Sequence, residues 1–290
     1  MRYFLRAAEH ETLAGAARAL GVEHSTIGRR LTALESALGA PLVMRNPDGL
    51  KLTPLGERVL PLAADVERGI LAIQDVAAHG QLRVRLAVPS GMTSFFTSAL
   101  ARLRAEHPHL SLEIVSGARP ADLKRGEADA AFRVGPVTDP DLIVRKLGEA
   151  GWALYASEHY LARKPAPTDL DDLAGHDVIA AEATLSAMPA ARWLEERSAG
   201  ATIVLRSREM TDMAAAGRIG LGLAVLPCGL GDPDPALRRL SDVISVRDLS
   251  LVYRRETRLS PSLRAVVDFV VDVVAEHGDL FAGRRPRPRE

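Results

Sequence analysis

Two short helical stripes separated by a glycine turn constrain this chain more than any other feature of it. Thr12 is placed to cap a helix that runs to Leu20, with Ala16, Ala17 and Leu20 forming a small-residue apolar face before Gly21 ends it. A second stripe, Ile27, Leu31, Leu34 and Leu38, defines a helix from about His24 to Leu38 that stops at Gly39. Tyr3, Phe4 and Ala7 stand at helical spacing ahead of both, over residues 3–9. Paired helices joined in this way predict a helix-turn-helix.

The next segment, PLVMRNPDGLKLT, reads as two short strands, 42–45 and 50–52. Between them lies the turn Asn46-Pro47-Asp48-Gly49, whose Asp-Gly pair supplies the positive-φ position of a hairpin. This is a wing. Thr53 as N-cap and Pro54 at the first helical position then open a long helix. Its apolar residues Leu55, Val59, Leu62, Val66, Ile70 and Ile73 recur on one stripe while the remainder is polar. Such a helix either packs on its own domain or pairs with a second copy, and its place between two domains favours dimerisation.

From residue 81 onward, strands alternate with helices. Strands are expected at 82–88, 110–115, 128–134, 143–147, 152–156, 178–181, 203–205, 221–226, 244–246 and 249–253. Helices are expected at 93–106, 121–126, 187–198, 209–216 and 261–277. The alternation implies an α/β domain with parallel sheets covered by helices. Its length suits two lobes better than one, with the chain crossing near 155 and returning near 249. The expected division is a head at 1–53, a linker helix at 54–80 and an α/β domain at 81–282. Within the α/β domain, lobe I takes 81–155 and 249–282, and lobe II takes 156–248. The Arg- and Pro-rich end at 283–290 is read as a disordered basic tail.

Charge alone does not reveal a nucleic-acid binder: 37 Lys and Arg balance 37 Asp and Glu. Any DNA grip must therefore be local. The second helix of the pair carries His24, Ser25, Thr26, Arg29 and Arg30 in its N-terminal half, groups suited to base edges and phosphates in a major groove. Arg45 and Lys51 flank the wing tip, where they would straddle neighbouring backbone. The competing reading is a protein-binding helical domain with both arginines merely solvated.

The run LAGAARALGVEHSTIGRRLTALESALGAPLVMRNPDGLKLTPLGE resembles the DNA-binding signature of LysR-type transcriptional regulators. The matching residues are Ala16, Ala17, Leu20, Ser25, Arg29, Leu34, Glu35, Leu38, Gly39, Leu42, Arg45, Leu52, Thr53 and Gly56. The resemblance implies a winged helix, a linker helix that pairs subunits, and a periplasmic-binding-protein-like effector domain of two α/β subdomains. Implied partners are double-stranded DNA, a small-molecule effector, one or three further copies of the chain, and RNA polymerase. There are departures: Met1 stands only two residues before Tyr3, Glu23 replaces a capping Ser, Gly28 replaces a Ser, and Met44 replaces a Phe. A carboxylate at Glu23 favours the helix N-terminus but not a nearby phosphate. Gly28 costs about 1 kcal/mol of helix propensity.

In the α/β domain, the turn Val88-Pro89-Ser90-Gly91-Met92-Thr93 follows a strand and opens a helix. Ser90 and Thr93 offer hydroxyls, Gly91 allows close approach, and the helix start favours an anion. The same hydroxyls would serve equally as a cap. Arg133, at the end of its strand, could clamp a carboxylate or bridge to Asp129 or Glu149. Thr184 and Thr211, with Ser186 and Asp212 beside them, follow strand ends or open helices in the other lobe. By resemblance, effector pockets are lined at the positions of Ser90, Arg133, Thr184 and Thr211.

The single cysteine, Cys228, follows a run similar to the family's "G.G.A.LP" and is expected to be a buried, inert thiol. No intramolecular disulfide can form, and the eight histidines show no metal-ligand spacing, so neither metal nor cofactor is expected. The chain shows no G-x-S-x-G, phosphate loop or H-E-x-x-H, which argues against an enzyme. A solute-binding protein would account for the α/β half alone. No signal peptide or apolar span is evident, so the expected location is the cytoplasm.

Overall fold

The computed structural model describes every residue except 47–48, 80–81, 118, 256–259 and 285–290. The tip of the expected wing turn and most of the basic tail therefore lie outside the described residues, as does the side chain of Arg45. The chain divides into two compact units. One comprises Met1–Val84 with His109–Ser111 and Asp122–Asp129; the other comprises Arg85–Pro108, Leu112–Ala121 and Ala130–Glu290.

In the first unit, helices α1 (Arg2–His10), α2 (Leu13–Leu20) and α3 (His24–Leu38) precede a hairpin of β1 (Val43–Asn46) and β2 (Gly49–Leu52), followed by α4 (Pro54–His79). Local chemistry accounts for each boundary. The Thr12 hydroxyl accepts from Gly15 N at 3.0 Å, capping α2. Gly21 ends α2 at φ 64, a left-handed conformation that favours glycine, and so turns the chain into α3. Phe4, Ala16, Ala17, Ile27, Leu31, Leu42, Leu60 and Ala63 form one buried core beneath these elements.

The wing is held to this core through residues that carry the family resemblance. Glu35 accepts from Leu42 N at 2.7 Å and Val43 N at 3.1 Å, using the α3 carboxylate to satisfy the backbone entering β1. Thr53 donates its hydroxyl to Pro41 O and accepts from Gly56 N, which ties the wing base to the first turn of α4. A Cβ on Gly56 would sit 2.1 Å from Leu42 O, so the helix can approach only without a side chain there. Gly56→Ala is therefore expected to destabilise the head by about 1–3 kcal/mol, seen as a lower thermal midpoint for loss of α-helical signal.

One mixed sheet, most of it in the second unit, runs in the order β4-β3-β5-β11-β6-β9-β7-β8, with β10 pairing β6 outside that path. The strands are β3 (Leu82–Ala87), β4 (Leu110–Val115), β5 (Ala130–Val134), β6 (Leu142–Ser157), β7 (Asp177–Ala181), β8 (Thr202–Ser207), β9 (Leu223–Pro227), β10 (Leu237–Arg239) and β11 (Ser245–Arg254). Its principal helices are α5 (Thr93–Glu106), α6 (Glu158–Leu161), α7 (Pro189–Arg197), α8 (Met210–Arg218), α9 (Cys228–Gly231) and α10 (Pro261–Phe281).

β3 pairs β5 in parallel, as β7 does both β8 and β9, which matches the parallel expectation at each end of the sheet. The middle differs. Residues 143–147 and 152–156 belong to a single strand β6, and residues 244–246 and 249–253 belong almost wholly to a single strand β11. These two pair antiparallel along their length, from Ser245↔Trp152 to Arg254↔Leu142, so the glycines and charges between the expected pieces do not interrupt them. The helix expected at 121–126 is a turn instead. Asp122 Oδ1 accepts from Lys124 N and Arg125 N, an Asx arrangement that competes with helix formation in so short a segment.

Candidate functional site

On the head, α3 presents His24, Ser25, Arg29 and Arg30 to solvent, with Thr26 half-buried. The stripe of Ile27 and Leu31 packs inward and fixes which face is left outside. Arg30 lies over the Tyr3 ring with its guanidinium carbon 5.9 Å from the centroid. Arg29 has no hydrogen-bond or ion-pair partner among the described residues. On the wing, exposed Lys51 stands opposite exposed Met44 across the β1–β2 ladder. The backbone of Arg45 pairs with Leu50. The structure thus leaves His24, Ser25, Arg29 and Arg30 on α3 and Lys51 on the wing exposed on the first unit.

Glu23 is the N-cap residue of α3 but makes no side-chain cap bond. Its carboxylate is instead exposed and lies 3.4 Å from the Ser25 hydroxyl, which donates to it.

The stripe on α4 separates into two parts. Leu55 and Val59 pack against the head core, whereas Leu62, Val66, Ile70 and Ile73 are exposed, Ile70 at 52% and Ile73 at 71%. These four apolar residues stand at 3–4-residue spacing on one exposed stretch of the helix.

In the second unit, Ser90 and Gly91 lie in a 3₁₀ turn, Ser90–Met92, that leads directly into α5. Neither hydroxyl caps that helix. Thr93 donates to Ser90 O at 2.9 Å, and Ser90 donates to the Glu209 carboxylate. Glu209 is the residue that opens α8, so this contact joins the turn after β3 to a helix from the other half of the sheet. Met210 and Leu230 close over Gly91 beside it, each within 4 Å of where a Cβ would stand. Thr211, in the first turn of α8, is half-buried, while Thr184 is exposed in the 3₁₀ turn Ala183–Leu185. Arg133 donates to Ala121 O; Asp129 pairs with Arg68, and Glu149 with Arg284. Ser90, Gly91 and Thr93 are therefore brought together, with Thr211 two residues after Glu209 in the chain. The sequence reading missed Glu209, Met210 and Leu230. A charge preceding a helix was visible at Glu209, but only the fold shows which hydroxyl it meets.

A polar cluster is buried elsewhere in the same unit. Tyr155 donates to Asp232 Oδ1 at 2.7 Å, Arg239 pairs bidentately with Asp232, and a further Arg239 nitrogen reaches Gly283 O at 3.0 Å. The Asp232 and Arg239 side chains are 2% and 10% exposed. Cys228 is fully buried against them, and burial pushes its thiol above the ordinary range, as it does the Tyr155 phenol. That environment suits an inert thiol. Among the described residues no group of histidine, cysteine and carboxylate side chains could hold a metal, and no helix is long and apolar enough to cross a membrane.

Two family models match the chain: "Bacterial regulatory helix-turn-helix protein, lysR family" over residues 1–57 and "LysR substrate binding domain" over residues 77–275. The chain is 27% identical over 298 residues to the HTH-type transcriptional regulator YhjC of Escherichia coli, covering 96% of this chain and 98% of that one. Among solved structures, the full-length virulence activator AphB of Vibrio cholerae superposes with a TM-score of 0.58 at 25% identity, covering 93% of this chain and 97% of that one. The regulator CrgA of Neisseria meningitidis gives 0.57 at 23% identity, covering 93% and 96%, a likeness of fold.

Proposed function

The chain belongs to the LysR family of bacterial transcriptional regulators, and we propose that its α3 and wing read an operator while a small carboxylate bound between the two lobes modulates that binding. Winged helix and effector domain are thus the two working parts, and what is proposed is which residues act and on what. For DNA, the observation that carries the reading is the exposed set on α3, with Arg29 available for a guanine edge and His24, Ser25 and Lys51 for phosphates or neighbouring bases. Arg45 is assigned with them by its place on the wing. The exposed α4 stripe supports a homodimer, whose paired heads would sit on the half-sites of a palindrome. Higher assembly to a tetramer, contact with RNA polymerase and a cytoplasmic location accord with this role. No catalytic step is assigned.

For the effector, the supporting observation is that Ser90, at the entry to α5, already holds a carboxylate, that of Glu209. An effector carboxylate would take its place beside Gly91 and Thr93, with Thr211 close by and with Arg133 and Thr184 as outlying contributors. In this reading lobe I is 81–155 with 249–282, lobe II is 156–248, and the effector sets how firmly they close.

The test is a mobility shift of the full-length protein on the intergenic DNA upstream of its own gene, at two salt concentrations, with and without a panel of small carboxylates. A selective, salt-sensitive shift altered by one of the carboxylates is expected. No selectivity over random DNA would sink the regulatory reading. Selectivity indifferent to every carboxylate would sink the effector class.

A further inference from the structure

We infer that Glu23 is a base-reading residue that selects a cytosine in each half-site, an assignment that rests on the DNA-binding role proposed above. Glu23 stands at the start of α3, the end of a recognition helix that enters the major groove. Among the described residues no cation pairs with its carboxylate, and the carboxylate does not cap the helix. Its side-chain partner among the described residues is the Ser25 hydroxyl, at 3.4 Å on the same exposed end.

Such a group is repelled by phosphate, so its position on this surface is favourable only where it meets a donor. In the major groove the base-edge donors are the amino groups of cytosine and adenine. Adenine sets the N7 acceptor beside its amino group, and N7 would face a second carboxylate oxygen. Cytosine offers N4–H₂ without that neighbour. The Ser25 hydroxyl, by donating to the carboxylate, leaves one oxygen oriented and the other free to accept. The pair Glu23–Ser25 is thereby selective for cytosine, and thymine at the same place would present its O4 acceptor and methyl group to a negative charge.

The experiment is selection of operators from a randomised duplex library by the full-length protein, followed by quantitative titration of single-base variants. Wild type, Glu23→Gln and Glu23→Ser are compared, each is checked for an unchanged thermal midpoint, and the uniform gain in binding to random DNA expected on losing the charge is measured and subtracted. Wild type is expected to require cytosine at one position of each half-site, losing about tenfold or more on change to thymine. At that position alone, Glu23→Gln is expected to shift the preference toward adenine, because an amide can address N6 and N7 together. Glu23→Ser is expected to relax it. If the three proteins select the same bases, and the variants merely bind every sequence more tightly, Glu23 is only a repulsive charge and the assignment is overturned. If wild type selects no sequence while remaining folded, the DNA-reading role falls, and this assignment with it.

Discussion

Alanine at Arg29 is expected to weaken operator binding by about 1–3 kcal/mol, roughly five- to 150-fold, and to relax the base preference at one position of each half-site. The reasoning starts from what Arg29 lacks. It is exposed on α3, one residue beyond the partly buried Gly28, and it has no partner among the described residues. Its removal therefore takes nothing from the head core of Phe4, Ile27 and Leu31, and the thermal midpoint should stay where it is. Arg30 is the instructive contrast: its guanidinium lies over Tyr3, so its loss would mix binding with packing. A titration by fluorescence anisotropy on cognate and random duplexes decides the matter. An Arg29→Ala protein that discriminates as well as wild type would remove this residue from the reading head.

Asp232→Ala should have the larger effect on stability. It strips the carboxylate from a buried pair and leaves the Arg239 guanidinium and the Tyr155 hydroxyl without their acceptor. Breaking such a pair from one side costs about 3–5 kcal/mol, because an uncompensated charge stays buried. For a domain of this size that corresponds to a fall of about 6–20 °C in thermal midpoint. The double variant Asp232→Ala/Arg239→Met should recover much of the loss, since no charge is then stranded. Single and double variants equally close to wild type would show that water reaches the cluster and that the Asp232–Arg239 pair contributes nothing to stability.

The head was legible from sequence because its determinants are local. The Thr12 cap, the Gly21 turn, the apolar stripe on α3 and the Thr53-Pro54 helix start each act within a few residues, and each recurs in the structure where the pattern put it. The central strands were not legible in the same way. Gly148, Gly151 and Asp248 look like breaks when read alone, and only the mutual pairing of β6 and β11 carries both strands through them. Ser90 was marked by its turn, but its partner Glu209 lies 119 residues away and follows no periodicity. The Asx turn at Asp122 was missed because a side chain, rather than a hydrophobic stripe, decided that segment.

The two long central strands also govern how this domain can move. β6 and β11 lie side by side in the middle of the strand order, between β5 on one side and β9 on the other, with one register shift, between Leu249 and Ser250. A pair of strands bonded edge to edge behaves like a leaf spring: it flexes and twists out of its plane but resists shear along its length. Bending of the sheet across this pair is thereby expected to be shallow, with an added twist, and most compliant where the ladder slips register. Under the effector role proposed above for Ser90, a signal arising there would be expected to cross the sheet as a change of angle, with no ladder bond broken.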